Sequence, residues 1–382
     1  MNKTVIILLI SISLLCQGAV EKPVYAAFPA ISSSYYCLMD AGSGQVLLMK
    51  NADSPRAVAS TTKIMTAVLA LEYSQPGEMA RVSQHADQTA EYTIGLKAGQ
   101  EISVNELLKA ALIKSANDAA VVLAEHVAGD ERLFGHLMSL KAFCLGAFHT
   151  RFVNASGLPA QEAYSTAYDL AVISSYAMCQ SAFRDLVGTN KANFKHPGYS
   201  QPYIINNTNS LLDTYPGANG IKTGTTDAAG QCLVGSARRQ ERELIAVVLH
   251  SGDRAGDCSR LLDYGFKSMQ KVKIVDESIP SANLIINDRE PLELSVYPAE
   301  ALQVWQGVRA AGLEKKVKLP FTGFSTVNKG DKVGYLEVYS GGKLLKRVNL
   351  IAGNDIKQPA SIPKRLWQEF VNWKRNIGTG KE

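Results

Sequence analysis

Two kinds of hydrophobic pattern divide the first two-thirds of the chain. One is the long apolar run that suits a helix. Ile64-Met65-Thr66-Ala67-Val68-Leu69-Ala70-Leu71 holds neither Gly nor Pro and is dense in helix formers. It predicts a buried helix from about Ser60 to Tyr73. Leu107 to Ile113 and Ala119 to Ala124 are two further runs of this kind, parted by the polar junction Ser115-Ala116-Asn117-Asp118. The other pattern is the short β-rich run bounded by turn residues. Cys232 to Ala237 and Leu244 to Leu249 predict two strands joined by a charged turn from Arg238 to Glu243. The turn-rich segment Pro216 to Gly220 leads into Lys222-Thr223-Gly224-Thr225, which places Lys222 on a strand entering that hairpin.

Past Phe266 the helical pattern stops. Lys271 to Val275, Leu292 to Val296, Val317 to Leu319, Lys332 to Val338 and Lys343 to Ile351 read as short strands. The plainest hairpin joins Val333–Val338 to Leu344–Val348 across Tyr339-Ser340-Gly341-Gly342. A small all-β domain is therefore expected over residues 271–358. In the tail (359–382), Leu366, Phe370, Trp373 and Ile377 recur at helical spacing, with Trp367 and Val371 beside them and Lys364, Arg365, Lys374 and Arg375 flanking. This is the pattern of a basic amphipathic helix resting on a membrane surface. A helix docked on its own β domain would give the same spacing.

Length and composition add limits. The chain has 382 residues, room for two domains and a sizeable core. Residues 1–27 read as a secretory signal: Lys3, the apolar stretch Val5 to Leu15, then Val24-Tyr25-Ala26-Ala27. An exported protein is expected, and no other apolar run has the length of a membrane span. Without Cys16 of the signal, Cys37, Cys144, Cys179, Cys232 and Cys258 remain. An odd number with no C-x-x-C argues against a disulfide framework or a zinc site, so most are expected as small buried residues. The histidines form no H-E-x-x-H, and neither metal nor other cofactor is expected. A net charge of +5, without a concentrated basic stripe, excludes a nucleic-acid partner from the expectation.

The candidate chemistry lies in three short motifs: Ser60-Thr61-Thr62-Lys63, Ser115-Ala116-Asn117 and Lys222-Thr223-Gly224. An S-x-x-K or an S-x-N turns up by chance about once in a chain this long, and a K-T-G in roughly one chain in ten. Their order is more telling, because they fall at a helix start, a helix junction and a strand edge. Lys63 lies three residues after Ser60 on the same helix face and can reach its hydroxyl. A lysine pinned among apolar residues loses stability in its charged form, and its neutral amine can take a serine proton. Ser115 can relay a proton and Asn117 can hold Lys63 or substrate, although Asn117-Asp118 also reads as a helix cap. Lys222, Thr223 and Thr225 offer a charge and hydroxyls to a carboxylate, and Gly224 permits close approach of a substrate to the strand.

These motifs, with Asp40 to Gly44, Asn117-Asp118-Ala119-Ala120, Thr150-Arg151-Phe152, Ser156-Gly157-Leu158, Ser165-Thr166-Ala167, Asn207-Thr208-Asn209, Arg254 and Leu261 to Phe266, resemble the serine D-Ala-D-Ala carboxypeptidases, the low-molecular-mass penicillin-binding proteins. Ser139, Leu140 and Ala163 depart from that pattern. The resemblance implies an α+β, beta-lactamase/transpeptidase-like catalytic domain over residues 28–270, an antiparallel sheet with helices, set on the small β domain as a pedestal. It implies Ser60 as nucleophile and Lys63 as base, with Ser115 and Asn117 completing the catalytic set. It implies further that the backbone N–H groups of Ser60 and Thr225 form the oxyanion hole, that Lys222, Thr223 and Thr225, with Arg254 behind them, hold the terminal carboxylate, and that Gly224 in the same substrate-binding set lets the substrate approach closely. The implied partners are peptidoglycan stem peptides ending in D-Ala-D-Ala, beta-lactams as inhibitors, and a membrane surface for the tail. A beta-lactamase is the nearest rival, yet no E-x-x-x-N stands between the second and third motifs. A non-catalytic binder would be expected to lack one of Ser60, Lys63 or Lys222.

Overall fold

The computed structural model describes residues 28–285, 293–307, 313–319 and 326–357. The expected signal (1–27) and amphipathic tail (359–382) lie outside the described residues. A five-stranded antiparallel sheet forms the frame: β1 (Tyr35–Asp40), β2 (Val46–Lys50), β3 (Ala218–Thr226), β4 (Gly230–Arg239) and β5 (Arg242–Ser251), in the order β2-β1-β5-β4-β3. The chain thus builds one edge, leaves to form helices, and returns to build the other. Helices α1 (Lys63–Tyr73), α2 (Val104–Lys109), α3 (Asn117–Ala128), α4 (Glu131–Cys144) and α5 (Ala167–Met178) pack on one face, and α6 (Arg254–Lys267) on the opposite face.

Strand alternation sorts the side chains between these layers. Cys37, Met39, Val234, Ile245 and Val247 join the core under α1 to α5, while Tyr36, Leu38, Leu244, Ala246 and Val248 pack with Leu261 and Leu262 of α6. With both faces covered, β4 and β5 read in sequence as continuous apolar runs instead of alternating ones. Both extend past the predicted limits, leaving only Gln240-Glu241 as their turn. Helix α1 is buried from Lys63 through Ala70, in the middle of the helical layer, which explains its lack of a polar face.

The residues after β5 and α6 behave as the pattern past Phe266 predicts, with four strands added. Here β6 (Gln270–Val275), β7 (Ala282–Ile285), β8 (Glu293–Pro298), β9 (Leu302–Gln306), β10 (Leu313–Lys318), β11 (Lys332–Ser340) and β12 (Lys343–Ala352) form a sheet β7-β8-β12-β11-β10 and a β6–β9 pair. The additions are β7 and β9, both short and mixed in polarity, and a two-residue pair, Thr326–Val327 with Ile356–Lys357. Val275, Leu294, Val296, Val304, Leu336, Val338, Val348 and Leu350 make a separate core. This unit meets the first at the β1–β2 hairpin, at Arg242 of β5, and through Lys343 at Asp53 and Tyr168. The buried Gln45 amide donates to the Trp305 carbonyl (2.6 Å) and accepts from its N–H (2.8 Å). The Ser340 hydroxyl donates to the Val46 carbonyl (2.8 Å), and Arg242 lies over the Trp305 ring, 3.4 Å from its centre.

Of the five cysteines, Cys37, Cys232 and Cys258 are buried as expected, whereas Cys144 and Cys179 are exposed. Ser139, one of the departures from the family pattern, accepts from the Phe152 N–H (2.9 Å) and so ties α4 to the segment that follows it. That segment ends in a tight turn beneath α1. Gly157 has φ +80°, and a Cβ added there would stand 2.0 Å from the Ala59 carbonyl oxygen. Gly146 has a comparable φ of +88° but open space around it. Alanine at Gly146 should cost only the left-handed penalty, about 1–2 kcal/mol. Gly157→Ala should cost about 1 kcal/mol or more beyond that, because backbone must move. Chemical denaturation of the two variants would test this, and equal losses would contradict it.

Candidate active site

The α1 end of the site begins with a short 3-10 turn, Ala59–Thr62, so the expected single helix from Ser60 starts tighter than an α-helix and becomes regular at Lys63. Ala59 takes φ +48°, a costly value for a residue with a Cβ, immediately before Ser60. The Lys63 side chain is wholly buried, and its Nζ lies 2.9 Å from Ser60 Oγ. Nζ also donates to Asn117 Oδ1 (2.6 Å) and to the Ser156 carbonyl (2.7 Å). Burial holds the Lys63 ammonium well below the ordinary lysine range; the neighbouring Lys222 lowers it further and Asp118 opposes both. A neutral amine has two N–H donors and one lone pair. Asn117 and Ser156 can take the donors, which leaves the lone pair for the Ser60 hydroxyl.

Asn117 is placed by an unusual junction. Helix α2 widens into a π-helical turn, Ala110–Lys114, and ends at Ser115 with φ +70°. Helix α3 then starts at Asn117 with Ala116 in the cap position, so the helix-cap reading of Asn117-Asp118 does not hold. Both side chains organise the loop before α2 instead. Asn117 Nδ2 donates to the carbonyls of Ala90 (3.3 Å) and Glu91 (3.1 Å). Asp118, buried, accepts from the N–H groups of Ile94, Gly95 and Leu96 at 3.0 to 3.1 Å. Glu91 and Tyr92 in this loop have φ of +52° and +40°. Ser115 sits at the same junction, buried, and its hydroxyl makes no hydrogen bond among the described residues.

Strand β3 forms the opposite wall. Its register pairs Lys222 with Val234, whose side chain belongs to the helix-side core, so Lys222 points toward the helical layer and Lys63. Lys222 is buried, its Nζ donates to the Thr223 carbonyl (3.1 Å), and its ammonium is pushed down to about 7 by desolvation first and Arg254 second. Thr223 and Thr225 alternate to the other side. The Thr223 hydroxyl lies 2.6 Å from that of Thr208, and Arg254 donates to Thr225 Oγ1 (2.8 Å) and the Gly224 carbonyl (3.2 Å). Gly224 has a role the sequence did not suggest. A Cβ there would meet the Val58 carbonyl at 2.9 Å and the Ser60 nitrogen at 3.0 Å. Its bareness lets the strand itself reach the turn that carries Ser60.

The structure therefore gathers Ser60, Lys63 and Asn117 into direct contact, sets Lys222 beside them, and lines Thr223, Gly224, Thr225 and Arg254 along one strand edge. Sequence reasoning gave no functional role to the Ser156 carbonyl or to Asp118, which stood only among the family landmarks. A backbone acceptor leaves no mark in residue identity. Asp118 next to Asn117 was visible, but its partners lie more than twenty residues upstream.

The chain matches the peptidase S11 model, D-alanyl-D-alanine carboxypeptidase, over residues 22–252, and the penicillin-binding protein 5 C-terminal domain over residues 293–358. It is 30% identical over 374 residues to the D-alanyl-D-alanine carboxypeptidase DacC of Escherichia coli (strain K12), covering 93% of this chain and 91% of the relative. With DacF of Bacillus subtilis (strain 168) it shares 29% identity over 349 residues, 88% of this chain and 90% of that one. Among solved structures, the D-alanyl-D-alanine carboxypeptidase DacD from Francisella tularensis superposes with a TM-score of 0.65 at 25% identity, covering 88% and 96% of the two chains. These likenesses bear out the expected α+β catalytic fold with a small all-β domain after it, and none favours a beta-lactamase or a non-catalytic binder. The chain belongs to the D-alanyl-D-alanine carboxypeptidase family of peptidases.

Proposed function

We propose that this penicillin-binding carboxypeptidase removes the terminal D-alanine from peptidoglycan stem peptides with Ser60 as nucleophile and Lys63 as its base. The observation that carries the assignment is the triple contact of the buried Lys63 amine with Ser60 Oγ, Asn117 Oδ1 and the Ser156 carbonyl. Ser60 Oγ attacks the carbonyl carbon between the two D-alanines while its proton passes to Lys63. The developing oxyanion is taken by the backbone N–H groups of Ser60 and Thr225, a reading supported by the close approach of Gly224 to the Ser60 nitrogen. Collapse breaks the C–N bond, and the departing amine receives a proton through the free hydroxyl of Ser115. Water then hydrolyses the ester. The terminal carboxylate is held by Lys222, Thr223 and Thr225, with Arg254 behind them. Beta-lactams present the same amide and carboxylate and acylate Ser60.

The residue limits 28–270 and 271–358 are proposed as the catalytic and β domains, in keeping with the separate cores. Family members act on peptidoglycan, outside the cytoplasm, and export through residues 1–27 fits this substrate. Among the described residues no helix is long and apolar enough to cross a membrane. The basic amphipathic tail is proposed to hold the protein at the membrane surface.

Three outcomes are expected. D-Alanine release from a peptide ending in D-Ala-D-Ala should fall at least about a thousandfold in Ser60→Ala with the fold retained; release by that variant at the parental rate would remove Ser60 from the mechanism. The profile of kcat/KM should rise with pH as Lys63 loses its proton and fall above about 7 as Lys222 loses its charge. Arg254 lowers the Lys222 ammonium, so Arg254→Gln should move the alkaline limb to higher pH. An unmoved limb would show that another group titrates there. Deletion of residues 359–382 should release the protein from sedimenting membranes; equal sedimentation would refute the anchor.

A further inference from the structure

Beside Ser60 lies a cavity of about 340 Å³ that the carboxylate-binding and proton-transfer groups do not use. Val58, Ala59 and Thr62 of the turn that presents the nucleophile line it, together with Thr226, the last residue of β3, and Ala228 just beyond. Its outer wall is the loop from Arg151 to Tyr164. That loop is a built feature. Arg151 and Tyr164 exchange backbone hydrogen bonds at 2.8 and 3.0 Å, and Ser165 and Arg56 do the same at 2.9 and 2.8 Å. Within it, Asn154 Oδ1 accepts from the Gly157 N–H (2.7 Å), and Asn154 Nδ2 donates to the Leu158 carbonyl (3.0 Å).

The lining is mostly apolar, with one charged side chain, Arg151. Its guanidinium meets Glu162 at 2.5 Å, with the two side chains 49% and 62% exposed. An ion pair this wet adds little to stability. It has chemical capacity to spare, since a guanidinium carries five donors and Glu162 is the one ion-pair partner of Arg151 among the described residues.

Position decides what enters. With the scissile carbonyl over Ser60 and the terminal carboxylate at Thr223, Thr225 and Arg254, the leaving half of the peptide lies toward Ser115 and Thr208. The acyl half must run the other way, past Thr226. Resting on the reading of Ser60 as nucleophile, we propose that this cavity receives the side chain of the residue preceding D-Ala-D-Ala. Its apolar lining takes a long aliphatic stem, and Arg151 selects a tip that bears a carboxylate over a tip that bears an ammonium alone. A carboxylate tip can take a bidentate grip from the guanidinium, and an ammonium on the same tip would still find Glu162.

The test uses the full chain and three peptides differing only in the residue before D-Ala-D-Ala: 2-aminoadipyl, norleucyl and lysyl, which share stem length and carry a carboxylate, no charge and an ammonium. Parental kcat/KM for D-alanine release should favour the 2-aminoadipyl peptide over the lysyl peptide by about tenfold. Arg151→Ala should bring the two within about twofold, and Arg151→Glu should invert the order. Arg151→Gln, which keeps the stem packing, replaces the alanine variant should that one fail to fold. Equal rates for the three peptides in a parent that Ser60→Ala inactivates would overturn the subsite and leave the Ser60 assignment standing. A preference that survives loss of Arg151 would overturn it too. No release from any peptide by the folded parent would overturn the Ser60 reading, and the subsite with it.

Discussion

The arrangement depends on one buried amine. Lys63 sits at the start of a helix sunk in the middle of the helical layer, where an ammonium ion has no water to solvate it. A lone buried charge of this kind is expensive, and the protein answers by holding the amine with three oxygen partners, Ser60 one turn away and Asn117 and Ser156 from distant parts of the chain. Each partner needs its own support. Asn117 requires the widened end of α2 and the loop that its own amide grips, while the Ser156 carbonyl requires a glycine turn under the α1 start. Positive φ values at Ala59, Ser115, Glu91 and Tyr92 mark where the surrounding structure forces the backbone into place.

Electrostatics tie the sheet to this amine. Lys222 lowers the Lys63 ammonium, and Arg254 in turn lowers that of Lys222. In this row, basic groups buried side by side disfavour one another's charged forms, and the place suits an anion that arrives with the substrate. Binding a terminal carboxylate would relieve the repulsion between Lys222 and Arg254, so the site gains most from a ligand that carries one. Asp118 tempers the row from the helix side. Because it also fastens the loop that braces Asn117, geometry and charge at Lys63 are coupled through one carboxylate.

The β unit after α6 takes no part in this network. Among the described residues its contacts reach the β1–β2 hairpin, Asp53 just after β2, Arg242 at the start of β5 and Tyr168 of α5, and none of the residues around Lys63. Gln45 and Trp305 pair as two strands would, through both ends of an amide, and Arg242 spans Asp40 and the Trp305 ring. The site edge of the sheet therefore stays open to an extended substrate.

The sequence by itself determined the element types and the chemical inventory. Apolar runs without Gly or Pro could only be buried helix or doubly covered strand, and S-x-x-K set Ser60 and Lys63 one turn apart through helix geometry alone. Strand limits were less legible, since β4 and β5 run on through charged residues that pairing with a neighbour stabilises. Short, mixed strands such as β7 and β9 have too little pattern to announce themselves. Only the tertiary structure decided that Asn117 bonds Lys63 instead of capping a helix, that a Ser156 carbonyl completes the amine's shell, and that Gly224 clears space for the nucleophile turn. The physical reason is the same in each case. These are contacts between residues tens of positions apart, two of them made by backbone atoms common to every residue, and local sequence carries no record of which distant segment will arrive.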